Sequence, residues 1–181
     1  YAAPAEAGFL FLAIKIMGLP MILIGRSVTQ VYVGEAGEKL RDGTLPRFTM
    51  GAMQSLAKLG VVPFLAVAVA APLVAEPLLG DGWGRTGILL TWMVPWFFLQ
   101  FVTSPVSVVL LITSHQVLAL GLQTFGLVLR VGTVYVALYL HPEWASEALA
   151  VSGVAFYVVY LGVILFVLQT LERGKSCERC Q

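Results

Sequence analysis

Three polar side chains recur every seven residues along one apolar stretch of the sequence: Gln116, Gln123 and Arg130. Seven residues make close to two turns of an α-helix, so these side chains lie on one stripe. The apolar run 117–140 is long enough to cross a bilayer. A guanidinium at that depth costs at least about 2.5 kcal/mol and normally faces a bundle interior or a wet cavity. Arg130 therefore indicates a pathway for an anionic group, whereas the glutamines could equally form hydrogen bonds between helices.

Two further cations, Lys15 and Arg26, lie in the first apolar stretch, eleven residues apart. Eleven residues are close to three helical turns, so the two side chains share a face. At about 1.5 Å per residue, Lys15 and Arg130 lie at similar depths in the same half of the membrane. The alternative for these cations, above all for Arg26, is that they snorkel to the lipid headgroups.

A third apolar stretch has its own polar face, which includes Gln100 and Ser104 at helical spacing. Such a face lines water or packs on other helices, and the spacing does not distinguish the two. Sequence signatures of hydrolases, metalloproteases and nucleotide-binding enzymes are missing, so we expect no enzyme, catalytic residue, cofactor or metal site. Cys177 and Cys180 form a single C-x-x-C pair, and two thiols fall short of the four ligands of structural zinc.

The composition indicates that membrane helices position these residues. The chain is 59% hydrophobic and only 12% charged, and with a formal net charge of +1 it has no signature of nucleic-acid binding. We predict an all-α membrane protein in which residues 1–172 form the bundle and residues 173–181 form a tail. Five stretches are long enough to span the hydrocarbon, at about 8–33, 56–79, 87–112, 117–140 and 148–171.

The connections between these stretches are of unequal length. Residues 34–55 are expected to form a long polar loop, with a short interfacial helix over 45–59. Residues 113–116 are expected to form a tight turn that packs the third and fourth helices antiparallel, assisted by small residues such as Gly126. The fifth helix has no charge before Glu172 and is expected at the periphery of the bundle.

The basic residues predict the orientation. With five spans, one side holds six lysines and arginines in its loops and tail, and the other holds only Arg85. The positive-inside rule then places the C-terminus in the cytoplasm and the start of the first helix outside. An odd number of spans that starts outside leads us to expect preceding helices in a longer polypeptide. The six residues of the basic side are Lys39, Arg41, Arg47, Arg173, Lys175 and Arg179.

Several segments together resemble a known family. They are L-L-G-D-G-W-G-R-T-G before the third span, M-V-P-W-F-F-L-Q-F-V-T-S-P-V-S-V around Gln100, and L-V-L-R-V around Arg130. The chain resembles the C-terminal half of bacterial polysaccharide flippases of the Wzx type. These belong to the MOP superfamily, together with multidrug exporters and the lipid II flippase. The resemblance implies the last five of twelve helices in a two-lobe transporter, whose N-terminal lobe completes a central cavity.

The resemblance also implies a function in lipopolysaccharide or exopolysaccharide biosynthesis. The implied cargo is an undecaprenyl-pyrophosphate-linked glycan, moved between the leaflets of the bacterial inner membrane. Arg130 and Lys15 would then hold phosphates in one cavity with Arg26 in the same site, while Gln123 and Gln100 would contact sugar hydroxyls. A multidrug exporter or lipid II flippase, and a polymerase-like membrane enzyme of polysaccharide assembly, are the alternatives.

Overall fold

The computed structural model describes the backbone of residues 4–178, and the side chains at positions 4, 19, 20, 22–24 and 173–178 lie outside the description. Every regular element within the described residues is helical, which confirms the predicted all-α class. The elements are α1 (Pro4–Asp42), α2 (Leu45–Leu79), α3 (Gly84–Thr103), α4 (Val109–Ile112), α5 (Gln116–Leu140), a 3₁₀ turn (Pro142–Trp144) and α6 (Ala145–Glu178).

Four stretches of the described residues are long and apolar enough to span a membrane: α2, α3, α5 and Pro142–Glu172. This supports a membrane protein, with four such helices where the sequence predicts five. The remaining predicted span is the first, residues 8–33, which falls in α1; this helix carries Lys15 and Arg26 and includes side chains outside the description. The chain still runs up and down the bundle, since α1, α3 and α6 all begin at the same end.

The predicted polar loop over residues 34–55 is wrong, because this segment is almost entirely helical. Helix α1 continues to Asp42, Gly43 takes a φ of 69°, and α2 begins at Leu45. At about 1.5 Å per residue both helices are longer than the roughly 30 Å hydrocarbon core, so they extend into the interface. The buried Tyr32 hydroxyl lies 2.6 Å from Thr49 Oγ1 and joins the two helices there. The expected interfacial helix over 45–59 is therefore the first part of α2.

The third predicted span also ends earlier than expected, at Thr103 rather than at residue 112. Pro105 has no amide hydrogen to donate to the carbonyl four residues back, so the helix stops and residues 104–108 form turns. After the short α4, Ser114 adopts a φ of 61° and the His115 amide donates to Leu110 O at 2.8 Å. The tight reversal before α5 lies where the sequence predicts it.

Helix α3 lies at the centre of the bundle, in contact with α1, α2 and α6, whereas α5 packs mainly on α6. The expected packing of the third and fourth predicted spans on each other is therefore wrong, as is the peripheral place of the last helix. Only 11% of the spanning window of α5 is buried, against 39% for the window of Pro142–Glu172. At the other end of the chain, α6 continues as helix to Glu178, beyond the predicted start of the tail at residue 173.

Two glycines let large rings fit between the helices that meet at α6. A Cβ on Gly153 would lie 2.3 Å from Trp96 of α3, and a Cβ on Gly126 of α5 would lie 2.5 Å from Phe156. Real Cβ atoms do not approach other atoms so closely, so both positions require glycine. The two contacts bring α3 and α5 close to the same segment of α6.

We predict that Gly153→Ala destabilises the bundle by about 1–3 kcal/mol, because the new methyl group overpacks against Trp96. Gly162→Ala is the matched control in the same helix, since a Cβ there has no neighbour within 4 Å. Its effect should be neutral or slightly stabilising. Unfolding midpoints of the purified variants in one detergent measure the difference, and equal midpoints would contradict the close α3–α6 contact.

Candidate functional site

The Arg130 guanidinium lies among three aromatic rings from two neighbouring helices. Its Cζ is 5.1 Å from the ring centroid of Trp96 in α3, 4.7 Å from Phe156 and 5.7 Å from Tyr157, both in α6. Cation–π attraction contributes about 2 kcal/mol or more for a desolvated pair. The rings thus supply much of the solvation that a charge in an apolar helix needs. We call Arg130 and these rings the arginine cage.

The arginine cage contains buried donors that lack acceptors. Among the described residues, Arg130 Nε, Arg130 Nη2 and Trp96 Nε1 are buried and have no hydrogen-bond partner. Trp96 is more than nine-tenths buried, and no carboxylate of the described chain forms an ion pair with Arg130. An unsatisfied buried donor costs about 1–3 kcal/mol, and more when it is charged. The N–H groups on these three nitrogens have the chemistry to bind an anion or another strong acceptor.

The same two glycines that set the helix packing also build the cage. Gly153 lets the Trp96 ring reach α6, and Gly126 lets the Phe156 ring reach α5, so both rings meet the arginine between the helices. The sequence reveals Arg130 through its charge. It does not reveal the rings, because aromatic residues are ordinary in an apolar helix and those of the cage come from distant parts of the chain.

Two other predicted site residues lie together in a different place. Arg26 and Gln100 line a cavity of about 370 Å³ between α1 and the end of α3. Thr29, Gln30 and Ser104 add polar groups to the same wall. The cavity therefore combines one cation with amides and hydroxyls, a lining suited to a hydroxyl-rich or anionic ligand.

The remaining predicted site residues, Lys15 and Gln123, lie in neither the arginine cage nor the Arg26 cavity. Lys15 is exposed, with its Nζ 5.3 Å from the Phe11 ring of its own helix. Gln123 is exposed on α5. Lys15 and Arg130 thus lie against different aromatic side chains, so a shared cavity for the two cations remains a prediction that no contact supports.

A charged cluster that the sequence does not reveal joins three helices at one end of the bundle. Arg85 Nη2, at the start of α3, lies 3.0 Å from Glu6 Oε1 of α1 and 2.7 Å from Glu147 Oε1 of α6. Ser146 Oγ donates to Glu6 Oε1 at 3.0 Å. We call Arg85, Glu6, Ser146 and Glu147 the end clasp. Its members are up to 141 positions apart, so no local motif could identify it.

Burial of the Glu147 carboxylate makes the end clasp important for the stability of the bundle. The residue is only 5% exposed, and its Oε2 is buried without a hydrogen-bond partner in the described chain. Arg85 is therefore the counter-charge that makes burial of this carboxylate tolerable. Glu147 ends a short polar run, residues 141–147, yet its side chain lies inside the bundle.

The described residues contain no group of three or more histidine, cysteine, aspartate or glutamate side chains that could hold a metal ion. The side chain of Cys177 and the whole of Cys180 lie outside the described residues.

Comparison with known proteins adds no relative. No protein-family model, curated protein or solved structure matches the chain.

We predict that Arg85→Ala destabilises the protein by about 1–3 kcal/mol, because it leaves the Glu147 carboxylate buried without a counter-charge. The value is below that of a fully buried pair because the Arg85 side chain is 29% exposed. The double variant Arg85→Ala/Glu147→Gln should recover part of the loss, since it removes the orphaned charge. Denaturation of the three proteins in one detergent tests this. A double variant no more stable than Arg85→Ala would contradict it.

Proposed function

We propose that the chain is part of a membrane transporter that moves a lipid-linked anionic glycan between the leaflets of the bacterial inner membrane. The cargo class follows from the resemblance to Wzx-type flippases and from the chemistry of two sites in the bundle, the arginine cage and the cavity lined by Arg26. The C-terminus is proposed to be cytoplasmic, and the N-terminal lobe of the same protein would close the pathway. The glycan would be a lipopolysaccharide or exopolysaccharide precursor on undecaprenyl pyrophosphate.

The observation that carries this proposal is the set of buried donors at Arg130. A guanidinium well inside a spanning helix is only partly satisfied by the described chain: Tyr157 is a hydrogen-bonding neighbour, but Arg130 Nε and Nη2 lack acceptors. Transient contact with a phosphate would supply acceptors for several of these donors. The arrangement fits cargo that passes through the site better than it fits a permanent structural ion pair.

The cavity at Arg26 supports the glycan part of the proposal. A sugar presents hydroxyl groups that both donate and accept hydrogen bonds, and the amides of Gln30 and Gln100 do the same. The kinks that the helix prolines permit are compatible with alternating access. The membrane lipids, an N-terminal lobe of the same protein and the lipid-linked glycan are the partners that the proposal requires.

Transport assays on Arg130 variants test the proposal. In proteoliposomes that carry the full-length protein and a labelled lipid-linked oligosaccharide, Arg130→Ala should nearly abolish movement between leaflets. Arg130→Lys should lower it only in part, since the charge remains while the bidentate fork is lost. Arg41→Ala is the control, because Arg41 is an exposed cation outside the cage.

Normal transport by Arg130→Ala at equal incorporation would contradict the proposal and leave Arg130 with a structural role. If Arg130→Ala loses both transport and folding, the Arg130→Lys variant decides between a structural role and a transport role. If a folded Arg130→Lys protein has the activity of the wild type, bidentate binding of an anion by the guanidinium has no part in transport.

A further inference from the structure

A second cavity lies at the opposite end of the bundle from the end clasp, between the start of α2 and the last turns of α6. Its volume is about 290 Å³. It has two charged lining residues, Arg47 from α2 and Glu172 from α6, and two amides, Gln54 and Gln169. The remaining lining residues are apolar or glycine: Pro46, Met50, Gly51, Leu165 and Leu168.

The position of this cavity along the helices places it at a membrane surface. Helix α2 has 35 residues, about 15 more than the roughly 20 that cross the hydrocarbon. Arg47 lies in its first turn, and Glu172 closes the apolar stretch of α6. The charged groups therefore lie at headgroup level, and Leu165 and Leu168 lie on the side towards the hydrocarbon.

The charges of the cavity select among phospholipids. Arg47 suits a phosphate diester, with which a guanidinium forms charge-assisted hydrogen bonds. Glu172 suits a cation beside that phosphate. It already takes part in another interaction, but a carboxylate has about four lone-pair sites and keeps acceptor capacity. One positive and one negative side chain match a zwitterionic headgroup and disfavour a headgroup with excess negative charge.

We propose that this cavity is a binding site for a zwitterionic phospholipid with a primary ammonium group, such as phosphatidylethanolamine. The phosphate lies at Arg47, the ammonium donates to Glu172, and the start of an acyl chain lies on Met50 and Leu165. The bound lipid joins the α1–α2 end of the bundle to α6. This site is separate from Arg130 and from the Arg26 cavity, so it does not depend on the proposed transport function.

Native mass spectrometry of the full chain, released from mixed micelles, tests the site. With equal amounts of phosphatidylethanolamine and phosphatidylcholine, the wild type should retain the ethanolamine lipid about five- to tenfold better, because trimethylation removes the N–H donors. Glu172→Gln should bring this ratio close to one. Arg47→Gln should lower retention of both lipids. Glu38→Gln and Arg41→Gln are the controls, since both residues are exposed at the same end of the bundle but do not line the cavity.

Three outcomes would overturn the proposal: equal retention of the two lipids by the wild type, better retention of phosphatidylglycerol than of phosphatidylethanolamine, or an unchanged ratio in Glu172→Gln. If a variant does not fold, a series of lipids measured on the wild type still tests the ammonium contact. Retention should fall stepwise from phosphatidylethanolamine through its monomethyl and dimethyl derivatives to phosphatidylcholine, and a flat series would exclude the ammonium contact.

Discussion

A guanidinium in the middle of an apolar helix must be solvated by something, and this constraint organises one side of the bundle. Arg130 lies on the least buried spanning helix, yet its Nε and Nη2 are shielded by rings from α3 and α6. The shielding requires α3 and α5 to approach α6 closely, and Gly153 and Gly126 make that approach possible. Helix packing and the chemistry of the site are thus one arrangement, because the rings that join the helices also surround the charge.

Charged side chains are arranged differently at the two ends of the bundle. At one end, Arg85 ties the starts of α1, α3 and α6 through carboxylates, one of which is almost fully buried. At the other end, Arg47 and Glu172 face a cavity that is charged but open to a ligand. The two ends of the bundle therefore differ: one has a closed ion cluster, and the other has an open cavity with one basic and one acidic lining residue.

The sequence predicts the helical class and singles out Arg130 as unusual, because apolar length and a charge at membrane depth are local signals. The sequence-based prediction fails where a helix continues beyond its apolar stretch, as α1 does through the polar run around Glu38. Hydropathy marks where a helix leaves the membrane, and it does not mark where the helix ends. It places the end of the third span too late, although Pro105 is a visible signal for the stop. The partners of Arg85 and the rings around Arg130 depend on tertiary contacts between distant segments, so a single sequence cannot pair them.

The central claim is that the donors of the arginine cage bind an anion, and the indole N–H signal of Trp96 in an NMR spectrum of the full protein in nanodiscs tests it most directly. Titration with undecaprenyl pyrophosphate should shift this signal saturably, whereas undecaprenol, which lacks the phosphates, should not. The signals of the exposed Trp92 and Trp144 should stay in place, and Arg130→Gln should abolish the shift. A Trp96 signal that does not move while the pyrophosphate lipid is bound, or that moves equally with undecaprenol, would contradict the account.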